Sequence, residues 1–223
     1  LHVPQSEEAQ TEALILMRVK DHILSPMFGG PIIGAIRDFI TAAYLLTRRS
    51  TLLTKKEVCE LLIAAGYEGP LPEPSVKEPK PMWNGKQLFS LFLPEGLNYT
   101  LKASVCQNCT ECSREDCPHD AYVVIKNGTL ISGIIDKNSI GAEKSESLLH
   151  RIIKDYGTEA GRTFLNKISH LLTRFITLRG FSYSYDELDL TTDAKKRIQQ
   201  KVKRAEKNVD SFTEKLRNGT LER

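Results

Sequence analysis

Residues 121–135 read Ala-Tyr-Val-Val-Ile-Lys-Asn-Gly-Thr-Leu-Ile-Ser-Gly-Ile-Ile, and this stretch decides the fold class. Two runs rich in β-branched residues, Ala121–Lys126 and Thr129–Ile135, flank Asn127-Gly128. An Asn-Gly pair between such runs predicts a two-residue hairpin with a type I′ turn, both central residues at positive φ. Away from the hairpin, apolar residues recur at helical spacing. Downstream, Leu148, Leu149, Ile152, Ile153 and Tyr156 share one face of a helix that Gly157 stops. Phe164, Leu165, Ile168, Leu171, Leu172, Phe175 and Ile176 mark the next, up to Gly180. Upstream, Ser6 with Glu7 and Glu8 predicts a capped helix through about Ile23, and a second covers about 35–47. Thr54-Lys-Lys-Glu57 is a capping box for a helix over Lys55–Ala65 that Gly66 closes. Lys86–Phe92 is a short amphipathic segment ending at Pro94. One hairpin among many helices predicts an α+β fold, mostly helical, with a small antiparallel sheet.

Punctuation supplies the connections. Residues 25–34 read as loop, and 70–81 hold five of the ten prolines, an extended connector. The 223 residues are 40% apolar and 26% charged, a globular composition with enough chain for a real core. No apolar run approaches the roughly 20 residues of a membrane helix. Leu1-His-Val-Pro has neither the basic nor the apolar region of a secretory signal, so a reducing, cytoplasmic setting without membrane partners is expected. Without an initiator Met, the chain reads as a portion of a longer protein.

The net charge of +3 is uneven. Residues 193–223 hold ten Lys or Arg against five Asp or Glu, leaving −2 on the rest. Within that basic segment Ile198, Val202, Ala205, Val209, Phe212 and Leu216 are spaced 4, 3, 4, 3, 4. This heptad seam predicts a projecting C-terminal helix in search of a partner helix, half of a truncated helical hairpin. Residues 1–180 are expected to form the main body and 181–223 to project. The isolated chain is expected to self-associate through 198–216.

Cys106-x-x-Cys109-x-x-Cys112-x4-Cys117 packs four of the five cysteines into twelve residues. Thiolates two residues apart reach one tetrahedral Zn²⁺, so Cys106, Cys109, Cys112 and Cys117 are candidate ligands. The alternatives are a Cys112–Cys117 disulfide or free thiols, and His119 is a possible substitute ligand. Cys59 lies alone in an apolar helix and reads as packing. Four Asn-x-Ser/Thr sequons, at Asn98, Asn108, Asn127 and Asn218, are chance matches without a signal peptide. Asp136-Lys137 reads as an ion pair at the end of the hairpin. There is no P-loop, no His-Glu-x-x-His and no Gly-x-Ser-x-Gly, and no catalytic or cofactor-binding residue is assigned. These residues alone also fit a self-standing zinc-knuckle protein binding nucleic acid through its basic helix, or a secreted disulfide-bonded glycoprotein.

A set of strings, taken in order, resembles the largest subunit of cellular DNA-dependent RNA polymerases, in particular its archaeal A′ type. They are Leu1-His-Val-Pro-Gln-Ser-Glu-Glu8, Ile23-Leu-Ser-Pro26 with Gly29-Gly-Pro-Ile-Ile-Gly34, and Trp83-Asn-Gly-Lys-Gln-Leu-Phe-Ser90. Ser132-Gly-Ile-Ile-Asp-Lys137 with Ser139-Ile-Gly141, Asp155-Tyr-Gly157 and Arg179-Gly-Phe181 complete the set. Order and spacing match from residue 1 to about 185.

The resemblance implies a location within a transcribing enzyme that transfers nucleotides from NTPs. In that family the triple-aspartate motif holding catalytic Mg²⁺ lies just before the equivalent of Leu1. The Mg²⁺ ligands therefore fall outside this chain, which by itself is not expected to be active. The segment that follows, here residues 1–180 with the Cys-rich loop 105–119, forms the pore region lining the secondary channel. Nucleotides enter there and backtracked RNA leaves. From about Phe181 the family begins its funnel, and the seam at 198–216 fits the first funnel helix. The implied partners are the other polymerase subunits, template DNA, nascent RNA and NTPs. Positive potential from the basic helix and from Lys55, Lys56, Lys86 and Lys102 would favour NTP entry. Two departures stand out. The family usually has Gln where this chain has Arg37, and the Cys106–Cys117 loop is not carried over from eukaryotic or bacterial relatives but resembles an archaeal-type elaboration.

Overall fold

The computed structural model describes residues 2–106 and 117–220. The chain divides into two compact units, Leu1–Gly180 and Phe181–Arg223. Helix α1, Glu7–Ile15, is capped by the Ser6 hydroxyl, which accepts the Ala9 N–H at 3.2 Å. It stops short of the Ile23 expected from the sequence. None of its residues is buried, so no packing offsets the entropy of extending it. The chain makes a 3-10 turn at Val19–His22 and a loop closed by the Leu24–Pro31 bridge. Helix α2, Asp38–Thr47, begins later than expected. Ala35 is drawn into a bridge with Gly141, and Arg37 takes φ 48°, which ends helical propagation towards the N-terminus.

Strand β1, Leu52–Leu53, leads into α3, Lys55–Ala64. The capping box forms as read: Glu57 N–H donates to Thr54 Oγ1 at 3.4 Å, and Thr54 N–H donates to Glu57 Oε2 at 2.8 Å. Gly66 follows at φ 64°. The proline-rich connector is pinned from one side, where Trp83 Nε1 donates to the Pro72 carbonyl at 2.7 Å and Gln87 Nε2 to that of Glu73 at 2.6 Å. Strand β2, Trp83–Asn84, pairs antiparallel with β1 and runs into α4, Gly85–Ser90. Gly85 is obligatory, since a Cβ there would stand 1.9 Å from the Leu46 carbonyl oxygen.

The predicted hairpin is β4, Tyr122–Lys126, and β5, Thr129–Ser132, once β3, Tyr99–Lys102, has added itself on the other side. Asn127 and Gly128 have φ 48° and 74°, the I′ signature. Strand β3 was not legible in advance, because Tyr-Thr-Leu-Lys is short and carries no turn signal of its own. The short helix α5, Lys137–Ile140, precedes α6, Leu148–Arg179. Gly157 interrupts α6 at φ 88° and ψ 170°, so the two helices expected there are two segments meeting at a break.

The core of the first unit lies among α2, α3, α4 and α6, with Leu46, Leu61, Leu88, Phe89, Leu149, Ile152 and Leu171 fully buried. Phe89 meets Phe164 edge-on, centroids 6.2 Å apart. A buried polar side chain ties α2 to the segment that follows β5. The buried Thr47 hydroxyl donates to the Ala43 carbonyl at 2.7 Å and accepts the Ile135 N–H at 2.9 Å. Thr47→Val keeps the shape but orphans that buried N–H, at an expected cost of about 1–3 kcal/mol. The check is a urea midpoint that falls while the slope stays constant.

The second unit holds a 3-10 turn, Tyr185–Leu188, and α7, Thr192–Arg217, capped by Thr191. No residue of α7 is buried, and Val209, Phe212 and Leu216 are each more than half exposed. Among the described residues, no helix is long and apolar enough to cross a membrane.

Candidate functional site: the neck of the cysteine-rich connection

The ladder between β3 and β4 pairs Tyr99 with Ile125 through Lys102 with Tyr122, and Ala103 N–H extends it to the Ala121 carbonyl at 3.0 Å. The cysteine-rich segment is therefore the connection of an antiparallel pair. Cys106 and Cys117 stand on opposite sides of its neck, each in a tight turn. Cys106 N–H donates to the Ala103 carbonyl, and Asp120 N–H to the Cys117 carbonyl, both at 2.9 Å. Cys117 is buried and Cys106 half-buried. Cys109 and Cys112 lie outside the described residues, so the four-ligand set and the Cys112–Cys117 disulfide are each represented by their neck residues alone. Two thiols held across a hairpin neck suit a metal that closes the loop.

Beneath the neck sits an ion cluster that no sequence motif announced. Asp120 adopts φ 52°, a conformation Asp tolerates better than most side chains, and is 8% exposed. Its Oδ1 accepts from Lys86 Nζ at 2.5 Å and from the Gly133 N–H at 2.9 Å, with Arg49 Nε at 3.6 Å. Gly133 makes this approach possible: at φ 89° it has no Cβ, which would stand 2.4 Å from Val123 Cα. Asp120 Oδ2 is buried and has no hydrogen-bond partner among the described residues. Burial pulls the Lys86 ammonium below its ordinary pKa, against the opposing effect of its hydrogen bond to Asp120. Lys86 is thus consumed inside the protein. The expectation that it adds to a channel potential is corrected, whereas Lys55, Lys56 and Lys102 are exposed.

Asp136 braces the other side. Its carboxylate accepts the Asn138 N–H at 2.9 Å as the cap of α5, and it also accepts the Ser104 N–H at the entry to the loop. Asp136 therefore serves backbone N–H groups at the entry to the loop and in the first turn of α5, and no ion pair to Lys137 appears among the described residues. His119 is exposed.

The described residues thus form an α+β unit, with a basic amphipathic helix in a second unit. The family described as RNA polymerase Rpb1, domain 3, matches residues 22–188. The whole chain is 50% identical to DNA-directed RNA polymerase subunit Rpo1N of Methanocaldococcus jannaschii, covering 16% of that protein. It is 42% identical to Rpo1N of Sulfolobus acidocaldarius, covering 25% of it. Across 231 residues it is 35% identical to DNA-directed RNA polymerase III subunit rpc1 of Schizosaccharomyces pombe, covering 16%. The chain belongs to the RNA polymerase largest-subunit family, with archaeal Rpo1N proteins among its relatives. It spans a quarter or less of the length of these relatives. Membership displaces the self-standing zinc-knuckle and secreted-glycoprotein alternatives.

Proposed function

We propose that this chain is the pore-region module, with the start of the funnel, of a DNA-dependent RNA polymerase that transfers nucleotides from NTPs during transcription. In this reading residues 1–180 line the secondary channel and 181–223 begin the funnel. The observation that carries it is the ordered set of family strings along residues 1 to about 185, with the family match over 22–188. The 223 residues contain no Asp-x-Asp-x-Asp, so the catalytic Mg²⁺ is assigned to ligands elsewhere in the enzyme, and the isolated module to an inactive state. Template DNA, nascent RNA, NTPs and the other subunits are then its partners, and the cytoplasm its setting. The exposed seam at 198–216 would be the face through which the isolated chain self-associates.

The cysteine loop is assigned a structural zinc, held by Cys106, Cys109, Cys112 and Cys117. The fit rests on the thiol donor set and on Cys106 and Cys117 flanking one hairpin neck. Such a metal supplies cross-linking rather than reactivity. The protein's own part is to brace the loop through Asp136 and through the Lys86–Asp120 pair.

Positive potential at a channel mouth raises local NTP concentration, more so at low salt. Neutralising the Lys and Arg residues of 195–207 in the assembled polymerase is therefore expected to raise the apparent KM for NTP several-fold at low ionic strength. An unchanged KM under those conditions contradicts the assignment of α7.

A further inference from the structure

Both turns of the cysteine neck are tied to one short segment that belongs to neither of the strands they join. Residues 133–136 follow β5 and are all buried. The Gly133 N–H donates to Asp120 Oδ1 at 2.9 Å, and the Ile134 N–H to the Asp120 main-chain carbonyl at 3.0 Å. Asp120 in turn closes the turn that begins at Cys117, through its own N–H. The Ile135 N–H donates to Thr47 Oγ1 on α2, which fixes the segment to the core. Asp136 reaches the opposite side of the neck, where its Oδ2 accepts the Ser104 N–H. Ser104 is the second residue of the turn that Cys106 closes with its N–H on the Ala103 carbonyl.

These bonds join groups of the protein itself. A binding loop whose two ends are already fixed loses less freedom when its ligand arrives, and binds more tightly for it. On the Cys106 side the tie is the Asp136 carboxylate, which is 5% exposed. Its other oxygen, Oδ1, accepts the Asn138 N–H at 2.9 Å as the cap of α5. One carboxylate thus serves two donors, which the single acceptor oxygen of an amide cannot do from both ends.

We infer that residues 133–136 preform the neck for its metal, with Asp136 as the positioning residue of the Cys106 side. The inference rests on the assignment of zinc to the cysteine loop. It adds a determinant of affinity outside the cysteines, a carboxylate that acts through the Ser104 backbone.

The test uses polymerase reassembled around the full-length subunit, in solutions of buffered free zinc. Alkylation of Cys106 and Cys117, read by peptide mapping, reports the zinc concentration at which each becomes protected. Asp136→Asn keeps the α5 cap, since Asn caps as well as Asp, but turns an amide donor towards the Ser104 N–H. Ser104→Pro removes that N–H at a turn position Pro favours, the position Pro118 already holds in the Cys117 turn. Partners that orient metal ligands are worth about 10–100-fold in affinity, so each variant is expected to raise the protection midpoint about tenfold or more. Full protection is expected to return at saturating zinc, with Cys59 labelling unchanged. Either variant decides the matter if the other does not assemble. A midpoint equal to the parent's overturns the inference, as does a parallel rise in Cys59 labelling, which marks general loosening of the fold. Parent thiols that react at every zinc concentration, or that stay protected until a reductant is added, overturn the zinc assignment and this inference with it.

Discussion

Lys86→Met is expected to destabilise the protein by about 3–5 kcal/mol, the cost of leaving a buried charge without its partner. Asp120 is held in place by the fold: its φ of 52° and the Gly133 N–H fix the carboxylate whatever stands opposite. Among the described residues Arg49 is the other cation nearby, at 3.6 Å and with about half its side chain in solvent, too distant to replace a 2.5 Å contact. Because Oδ2 lacks a hydrogen-bond partner among the described residues, Oδ1 carries the contacts of the carboxylate. A double-mutant cycle with Asp120→Asn isolates the pair, since removing both charges is expected to cost clearly less than the two single changes summed. Urea unfolding reads all three variants. A loss below about 1 kcal/mol for Lys86→Met means the pair is worth no more than a surface bridge.

The second large effect belongs to the cysteine loop. Protein prepared without chelator or oxidant is expected to carry one zinc per chain, with four thiols protected from reagent and Cys59 the remaining one. Cys117→Ser removes a buried donor at the neck and is expected to abolish stoichiometric zinc. Zinc binding by small structural sites is worth about 10–16 kcal/mol of apparent free energy, so partial retention is not anticipated. Loss of the metal opens the connection between β3 and β4, read as faster proteolysis near residues 105–119. Absence of metal together with three reactive thiols would instead identify the Cys112–Cys117 disulfide.

What the sequence made legible follows from the range of each signal. The Asn127-Gly128 turn, the Thr54 capping box and the Gly157 break depend on a few adjacent residues, and all three appear in the structure. Helix ends failed where tertiary contacts decide them. Leu14 to Met17 offer helical spacing but find no surface to cover, and Ala35 leaves α2 to pair with Gly141. The Lys86–Asp120 pair joins residues 34 positions apart, and Asp120 is also held by the N–H of Gly133, just past β5. No local pattern encodes that. The cysteine cluster was visible at once, but that Cys106 and Cys117 flank one hairpin neck required β3, the strand the sequence did not announce.

The central claim is that residues 1–180 line the channel through which RNA leaves when the polymerase backtracks. It is tested most directly by a backtracked elongation complex whose RNA carries a photoreactive nucleotide at its 3′ end. The expected result is labelling that peptide mapping places within residues 1–180 of this chain. Labelling of other subunits, with none in residues 1–180, would contradict it.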